Sequence, residues 1–265
     1  MNQTLAIANQ KGGVGKTTTC VNLAASLVSN GRRVLLVDMD PQGNATVGAG
    51  VDKEALRVTN YELLMGERVA TDVHCRDVRG GFDLLPANGD LTAAEVGLMG
   101  AGEGREKRLQ TALAPCRSDY DHILIDCPPS LNLLTLNAFV AADHVLIPIQ
   151  CEYYALEGLT ALLNTIERVR QTVNPDLEIE GLVRTMFDGR NNLSNQVGAQ
   201  LLAHFPGQVY RTQIPRNVRL AEAPSHGLPV LQYDRASRGA VAYLALASEL
   251  LRRQQPGASQ AGGLS

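Results

Sequence analysis

Short apolar runs alternate with longer stretches of helical spacing along almost the whole chain. Leu5-Ala6-Ile7-Ala8 predicts a first strand, and Val21-Asn22-Leu23-Ala24-Ala25-Ser26-Leu27 a helix closed by Gly31. Arg33-Val34-Leu35-Leu36-Val37 predicts a second strand, apolar on both faces as the strands of a parallel sheet are. Further strands are expected around 82–86, 121–126, 144–149 and 179–183, and helices over 60–65, 91–99, 105–113, 131–142, 156–172 and 191–205. Val209-Tyr210 and Gln213-Ile214 read as two short extended pieces, and 234–253 as a last amphipathic helix. Strand and helix in regular succession predict an α/β fold, a doubly wound and mostly parallel central sheet with right-handed crossovers, flanked by helices. One domain over 1–254 is expected, followed by a disordered, glycine-rich tail over 255–265.

Composition narrows the class. With 265 residues, 45% of them hydrophobic and 19% charged, the chain can bury the core of one large domain. It has neither an apolar run of about 18 residues nor a basic-then-apolar leader, so a cytoplasmic protein is expected. Cys20, Cys75, Cys116, Cys127 and Cys151 are odd in number and form no CxxC pair; they read as reduced small residues, not a zinc or cluster site.

The chemistry is concentrated at the end of the first strand. Gln10-Lys11-Gly12-Gly13-Val14-Gly15-Lys16-Thr17-Thr18 lies in the strand, glycine turn, helix setting of a phosphate loop, with Gln10 where the general pattern has a glycine. Gly12, Gly13 and Gly15 let the backbone curl with amide hydrogens inward, Lys16 sets an ammonium against outer phosphates, and Thr17 offers a hydroxyl to a magnesium ion. The start of the helix adds partial positive charge. Lys11 has three readings: a side chain crossing its own loop, one reaching a nucleotide held by another subunit, or a solvated surface charge. The chain has only four lysines against twenty arginines, and two of the four flank this turn.

Acidic residues end two other strands. Asp38-Met39-Asp40-Pro41-Gln42-Gly43-Asn44 places two carboxylates where a parallel sheet also presents the phosphate loop; we assign Asp40 to positioning an attacking water, and Asp38 to supporting magnesium and Lys16. The apolar run Ile123-Leu124-Ile125 ends in Asp126, followed by Cys127-Pro128-Pro129, and Asp126 is expected near the magnesium. Between residues 184 and 238 lie seven arginines (184, 190, 211, 216, 219, 235 and 238) against three acids, whereas the whole chain carries a net charge of -3. Such a segment suits phosphate contacts that read no bases. The middle, from 52 to 113, reads as scaffold or partner surface.

These strings, together with Glu152-Tyr153-Tyr154-Ala155-Leu156-Glu157-Gly158 and Ile214-Pro215-Arg216-Asn217-Val218-Arg219-Leu220-Ala221-Glu222-Ala223-Pro224-Ser225, resemble the ParA/Soj family of chromosome and plasmid partitioning ATPases from about residue 4 to 251. The resemblance implies a deviant Walker A ATPase of the short form, with ATP and Mg2+ as cofactors and slow basal hydrolysis. It implies a homodimer with ATP sandwiched at the interface, nonspecific binding of double-stranded DNA, release through a ParB-type partner, and a nucleoid-associated location without stable membrane attachment. Carried onto this chain, it makes Lys11 the lysine that reaches the partner's nucleotide, Lys16 the phosphate-loop lysine, Thr17 the magnesium ligand and Asp40 the residue needed for hydrolysis, with Gly12 to Thr18 cradling phosphates. Pro215 and Asn217 would lie near the adenine. Arg190 and Arg219 match DNA-binding arginines, with Arg216 a nearby candidate. Membrane-associated division-site ATPases, iron-protein reductases and flagellar or polysaccharide-positioning ATPases are the alternatives within the superfamily.

Overall fold

The computed structural model describes residues 2–255, so the expected tail lies, from residue 256 on, outside the described residues. The chain opens with β1 (Gln3–Ile7), α1 (Lys16–Ser29), β2 (Val34–Asp38) and α2 (Asn44–Gly48). Its middle holds α3 (Asn60–Met65), α4 (Ala70–Val73), β3 (Asp83–Leu85), α5 (Leu91–Gly100) and α6 (Arg108–Leu113). Then come β4 (His122–Asp126), α7 (Leu133–Ala141), β5 (His144–Gln150), α8 (Ala155–Thr172) and β6 (Glu178–Phe187). The last part is α9 (Asn192–His204), β7 (Val209–Pro215), α10 (Val218–Glu222), α11 (Val230–Tyr233) and α12 (Arg238–Arg253).

The seven strands form one sheet in the order β3-β2-β4-β1-β5-β6-β7, and every pairing is parallel. Both faces are covered, which is why the strands are apolar without alternation. Leu5 and Ile7 of β1, with Leu36, Leu124 and Leu146, belong to the core that includes Leu23 and Leu27 of α1 and Leu246 and Leu250 of α12. Ala6, Leu35, Val37, Ile123 and Ile125 belong to the opposite core, with Phe139 of α7, Leu162 of α8 and Leu201 of α9.

Several boundaries differ from expectation, each for a local reason. The two extended pieces at 209–210 and 213–214 are one strand, β7, because pairing with β6 carries the chain through the exposed Arg211 and the half-buried Thr212. α12 starts at Arg238, not 234, since the Ser237 hydroxyl accepts the Ala240 N–H and caps it there. α7 likewise begins after Asn132, whose side chain accepts the Thr135 N–H at 3.1 Å. Residues 105–107 form a 3-10 turn ahead of α6. The five-residue helices α2 and α10 carry too little periodicity to be expected from sequence.

The topology fixes where a ligand can sit. β1 connects to β2 on one side, while β4, next to β1, connects to β5 on the other, so a crevice opens beyond their carboxyl ends. In register, Asp126 pairs with both Ile7 and Asp38. The glycine loop and the two acidic strand ends therefore sit side by side at one level.

The helix that carries the loop, α1, is braced by α12 through a buried contact between the Thr19 and Tyr243 hydroxyls at 3.1 Å. Tyr243→Phe leaves the Thr19 hydroxyl without this partner and is expected to cost about 1 kcal/mol. In thermal unfolding followed by circular dichroism, that corresponds to a loss of about 2–4 °C.

Candidate functional site

The glycine loop is held from three sides. Gly13 and Gly15 have φ of 74° and 87°, a backbone region that side chains with a Cβ seldom adopt, which accounts for glycine at both positions. At the entrance, the buried Asn9 donates to the Pro148 carbonyl of β5 at 2.8 Å, and its oxygen accepts the Lys11 N–H at 3.0 Å. In the middle, the Thr185 hydroxyl of β6 donates to the Val14 carbonyl at 2.7 Å. Lys16, the first residue of α1, bends back so that its Nζ donates to the Lys11 carbonyl at 3.2 Å. Gly12 and Gly13 are exposed, and a Cβ at either would meet nothing within 4 Å.

Lys16 is nearly buried, and burial pulls its ammonium below the usual lysine range against the opposing charges of Asp126 and Asp40. The carboxylates are not equivalent. Asp38 is fully buried, and both of its oxygens are engaged: one accepts from the Asp40 N–H at 3.2 Å, the other from the Thr46 N–H at 2.8 Å and the Thr46 hydroxyl at 2.7 Å. Burial pushes its carboxyl up to about 6, with these bonds acting in the opposite sense. The bonds fold residues 38–46 into a closed loop that ends in α2. Asp40, itself 8% exposed, accepts the Gln42 N–H at 2.9 Å.

Asp126 is different. It is fully buried, and neither oxygen has a hydrogen-bond partner. Burial, and then the neighbouring Asp38 charge, push its carboxyl well above the usual range. The adjacent Thr17 hydroxyl and Lys16 pull it the other way, although no donor reaches either oxygen at ordinary hydrogen-bond distance. Two orphaned carboxylate oxygens beside a threonine hydroxyl are a donor set suited to a hard divalent cation such as Mg2+.

Lys11 lies at the surface and is held by an ion pair. Its Nζ lies 2.6 Å from Oε2 of Glu152, in the turn after β5, with both side chains about half exposed. The next residues, Tyr153 and Tyr154, are stacked edge to face at 5.0 Å and stand out from the same rim, 76% and 68% exposed. Thr18 is half-buried near the start of α1, with its carbonyl accepting from Asn22 at 2.7 Å. Pro215 ends β7 opposite Phe187. The Asn217 oxygen caps α10, accepting the Arg219 N–H at 3.0 Å and the Leu220 N–H at 3.3 Å.

The arginine segment is less uniform than its composition. Arg184 leaves it: 6% exposed, it donates to the Tyr210 carbonyl at 3.2 Å and lies over the Phe187 ring. Arg190 is extended at the surface but forks onto Asp188 with two 2.9 Å bonds. Arg219 bonds Glu222 at 2.8 Å and lies 3.3 Å from Asp234. All three acids of the segment are consumed in this way. Arg211, Arg216, Arg235 and Arg238 are exposed and form no ion pair among the described residues. Arg216 still weighs on Asp188, so it sits beside the Arg190 pair.

Asn9, Thr46, Glu152 and Thr185 have no role assigned by the sequence. The partners of Asn9, Glu152 and Thr185 lie 139 to 171 residues away, Thr46 reaches back eight residues to Asp38, and no sequence pattern marks any of the four.

An edge built in this way, with a lysine-closed glycine loop over buried acids at the switch of a parallel sheet, defines the class of phosphate-loop NTPases. Comparison with known proteins narrows the class. The AAA domain family matches residues 2–179. The chain is 53% identical to the chromosome partitioning protein ParA of Caulobacter vibrioides, over 95% of this chain and 94% of that protein. It is 52% identical to the sporulation initiation inhibitor protein Soj of Bacillus subtilis, over 94% and 98%. Among solved structures, it is similar to cobyrinic acid a,c-diamide synthase from Mycobacterium smegmatis, with a TM-score of 0.85, 41% identity and 97% of both chains covered; that protein was crystallised with bound ADP and magnesium. The chain belongs to the ParA/Soj family of chromosome-partitioning ATPases.

Asp126→Asn removes a buried carboxyl whose burial cost outweighs the pull of Thr17 and Lys16. Because burial raises the folded carboxyl above its ordinary value of 3.8, the folded state keeps a proton that the unfolded chain has lost. The cost of the charge is therefore absent at low pH and complete once pH exceeds the folded value. Without nucleotide or magnesium, the asparagine variant is expected to be more stable than wild type at pH 7.5 by about 1 kcal/mol or more. Urea unfolding from pH 5 to 8 should show that difference widening with pH.

Proposed function

We propose that the protein is an ATP-dependent partitioning switch: it binds ATP with Mg2+, pairs with a second copy, holds DNA without reading its sequence, and lets go on hydrolysis stimulated by a ParB-type partner. The observation that carries this reading is Asp126, a buried carboxylate with two unpartnered oxygens beside Thr17 and Lys16 at the mouth of a glycine loop. Support also comes from the ATPase family to which the chain belongs.

In this proposal Gly12 to Thr18 cradle the phosphates with backbone amides, and Lys16 exchanges its bond to the Lys11 carbonyl for phosphate oxygens. Thr17 and Asp126 hold the magnesium ion, which when bound neutralises phosphate charge. Asp40 orients the attacking water. Asp38, whose oxygens are already committed to Asp40 and Thr46, shapes the loop that presents Asp40 and supports the metal site only through it. Pro215 and the backbone around Asn217 border the base.

Lys11 is poised for exchange. A half-exposed ion pair such as Lys11–Glu152 contributes about 0–1 kcal/mol, so a partner's phosphate can displace Glu152 at little cost. The exposed Tyr153–Tyr154 pair on the same rim provides apolar area for the second copy to cover. Nucleotide occupancy and dimer formation are then linked, because a triphosphate supplies the counter-charge for Lys11 across the interface. The name of the Mycobacterium smegmatis structure points to a synthase, but the relatives named for partitioning are the more similar, at 52–53% against 41%.

For DNA, the arginines without acid partners carry the reading. Arg216 has its full charge available, whereas Arg190 and Arg219 must first leave their carboxylates.

Two measurements test these roles. Asp40→Ala is expected to dimerise with ATP, by light scattering, while turnover falls about 100-fold or more; a monomeric variant, or one that still hydrolyses, contradicts the water-positioning role. In salt titrations of DNA binding with ATP present, Arg216→Ala should lower the log–log slope by about one per protomer. Arg190→Ala, already neutralised by Asp188, should lower it less, and equal effects would remove the distinction between paired and unpaired arginines.

A further inference from the structure

β6 touches the glycine loop at one point. The Thr185 hydroxyl, on a residue 2% exposed, donates to the Val14 carbonyl at 2.7 Å. Val14 lies between Gly13 and Gly15, both in the left-handed region, so the peptides on either side of it meet little steric resistance to rotation. Their orientation has to be chosen by a bond.

The choice has a consequence one atom further on. In a trans peptide the carbonyl and the following N–H point in opposite directions, and no peptide among the described residues is cis. Holding the Val14 carbonyl against β6 therefore turns the Gly15 N–H away from β6 and into the turn, where the amides of a phosphate loop meet the anion. Packing reinforces the bond. A Cβ placed on Gly15 would lie 3.9 Å from Thr185 Cβ and Cγ2 and 4.0 Å from Met186 Cε, so side chains of β6 already occupy the outer wall of the loop.

The strand itself is distorted at this contact. Met186 has φ of 47°, and among the described residues only Asp77 is another non-glycine with positive φ. The pairing of β6 with β7 also shifts register between Arg184 and Phe187. A strained residue persists where the surroundings over-determine it, and here they include the loop on one side and the Phe187–Pro215 pairing on the other.

We propose that Thr185 is a positioning residue of the nucleotide site, setting the Gly15 amide toward the phosphates through the Val14 carbonyl. This rests on the loop being a nucleotide site, as set out above.

The test compares ATP binding and turnover, with Mg2+ present, for wild type, Thr185→Val, Thr185→Ala and Thr185→Ser. Thr185→Val and Thr185→Ala lack the donor and are expected to weaken ATP binding about five- to tenfold, the effect of one misplaced hydrogen bond to a charged group. KM should rise by a similar factor while kcat at saturation changes less than about twofold. Thr185→Ser keeps the donor and should stay within about twofold of wild type. A valine variant with wild-type affinity, or a serine variant as weak as valine, overturns the proposal, because packing and not the hydroxyl would then matter. Alanine serves as the donor-free variant should valine not fold, and weakening confined to alanine also overturns it. Wild-type protein that binds no ATP overturns the nucleotide reading itself.

Discussion

The constraint on which this structure turns is the burial of negative charge under a flexible loop. Asp38 and Asp126 are paired in register on adjacent parallel strands, both are removed from water, and the nearest cation, Lys16, is itself pulled toward neutrality by burial. Asp38 is compensated within the fold by Thr46 and the Asp40 amide. Asp126 has no such compensation. In a low-dielectric interior that asymmetry is a standing cost, and a divalent cation is the natural way to remove it. The uncharged bonds around Asp38 and the bare oxygens of Asp126 thus divide one acidic cluster into a scaffold half and a binding half.

The loop above the acids shows the complementary economy of contacts. Its glycines provide curvature without stiffness, and stiffness is returned by groups from outside: Asn9 and β5 at the entrance, Lys16 across the turn, Thr185 and β6 at the centre. Three of these bonds use loop backbone groups, the Lys11 N–H and the Lys11 and Val14 carbonyls. The inward amides can then stay free of competing partners, as an anion cradle requires.

Much of this was legible from the residues alone. Short apolar runs between helical stretches suffice to identify a doubly wound sheet, because both faces of a parallel sheet are covered and the signal is strong at every strand. The acids at positions 38 and 126 are legible for the same reason, since each ends such a run, and Asp40 follows two residues after the first. Side-chain commitments were not. Nothing near Asp38 marks Thr46 as its partner, and the composition of 184–238 makes seven arginines look alike. The fold buries Arg184 against the Phe187 ring and neutralises Arg190 and Arg219. Thr185 escapes because the apolar run ends at Val183, while the strand continues to Phe187 through pairing with β7. Boundaries set by hydrogen bonds to remote partners carry no local pattern.

Lys11 shows why such commitments matter for function. As a motif residue it is a charge beside a phosphate loop; in the folded chain it is a charge already engaged, 2.6 Å from Glu152 on the exposed rim. Because the pair is half exposed, its strength is small, and because both members sit at the surface, separating them leaves neither charge stranded in the interior. The contrast with Asp126 is instructive, since that charge cannot reach water at all. A rim pair that opens cheaply and a buried acid that waits for a cation are two different kinds of readiness in one site. Under the proposed function, the first lets phosphate replace Glu152 at little cost, and the second ties nucleotide binding to the cation that accompanies it.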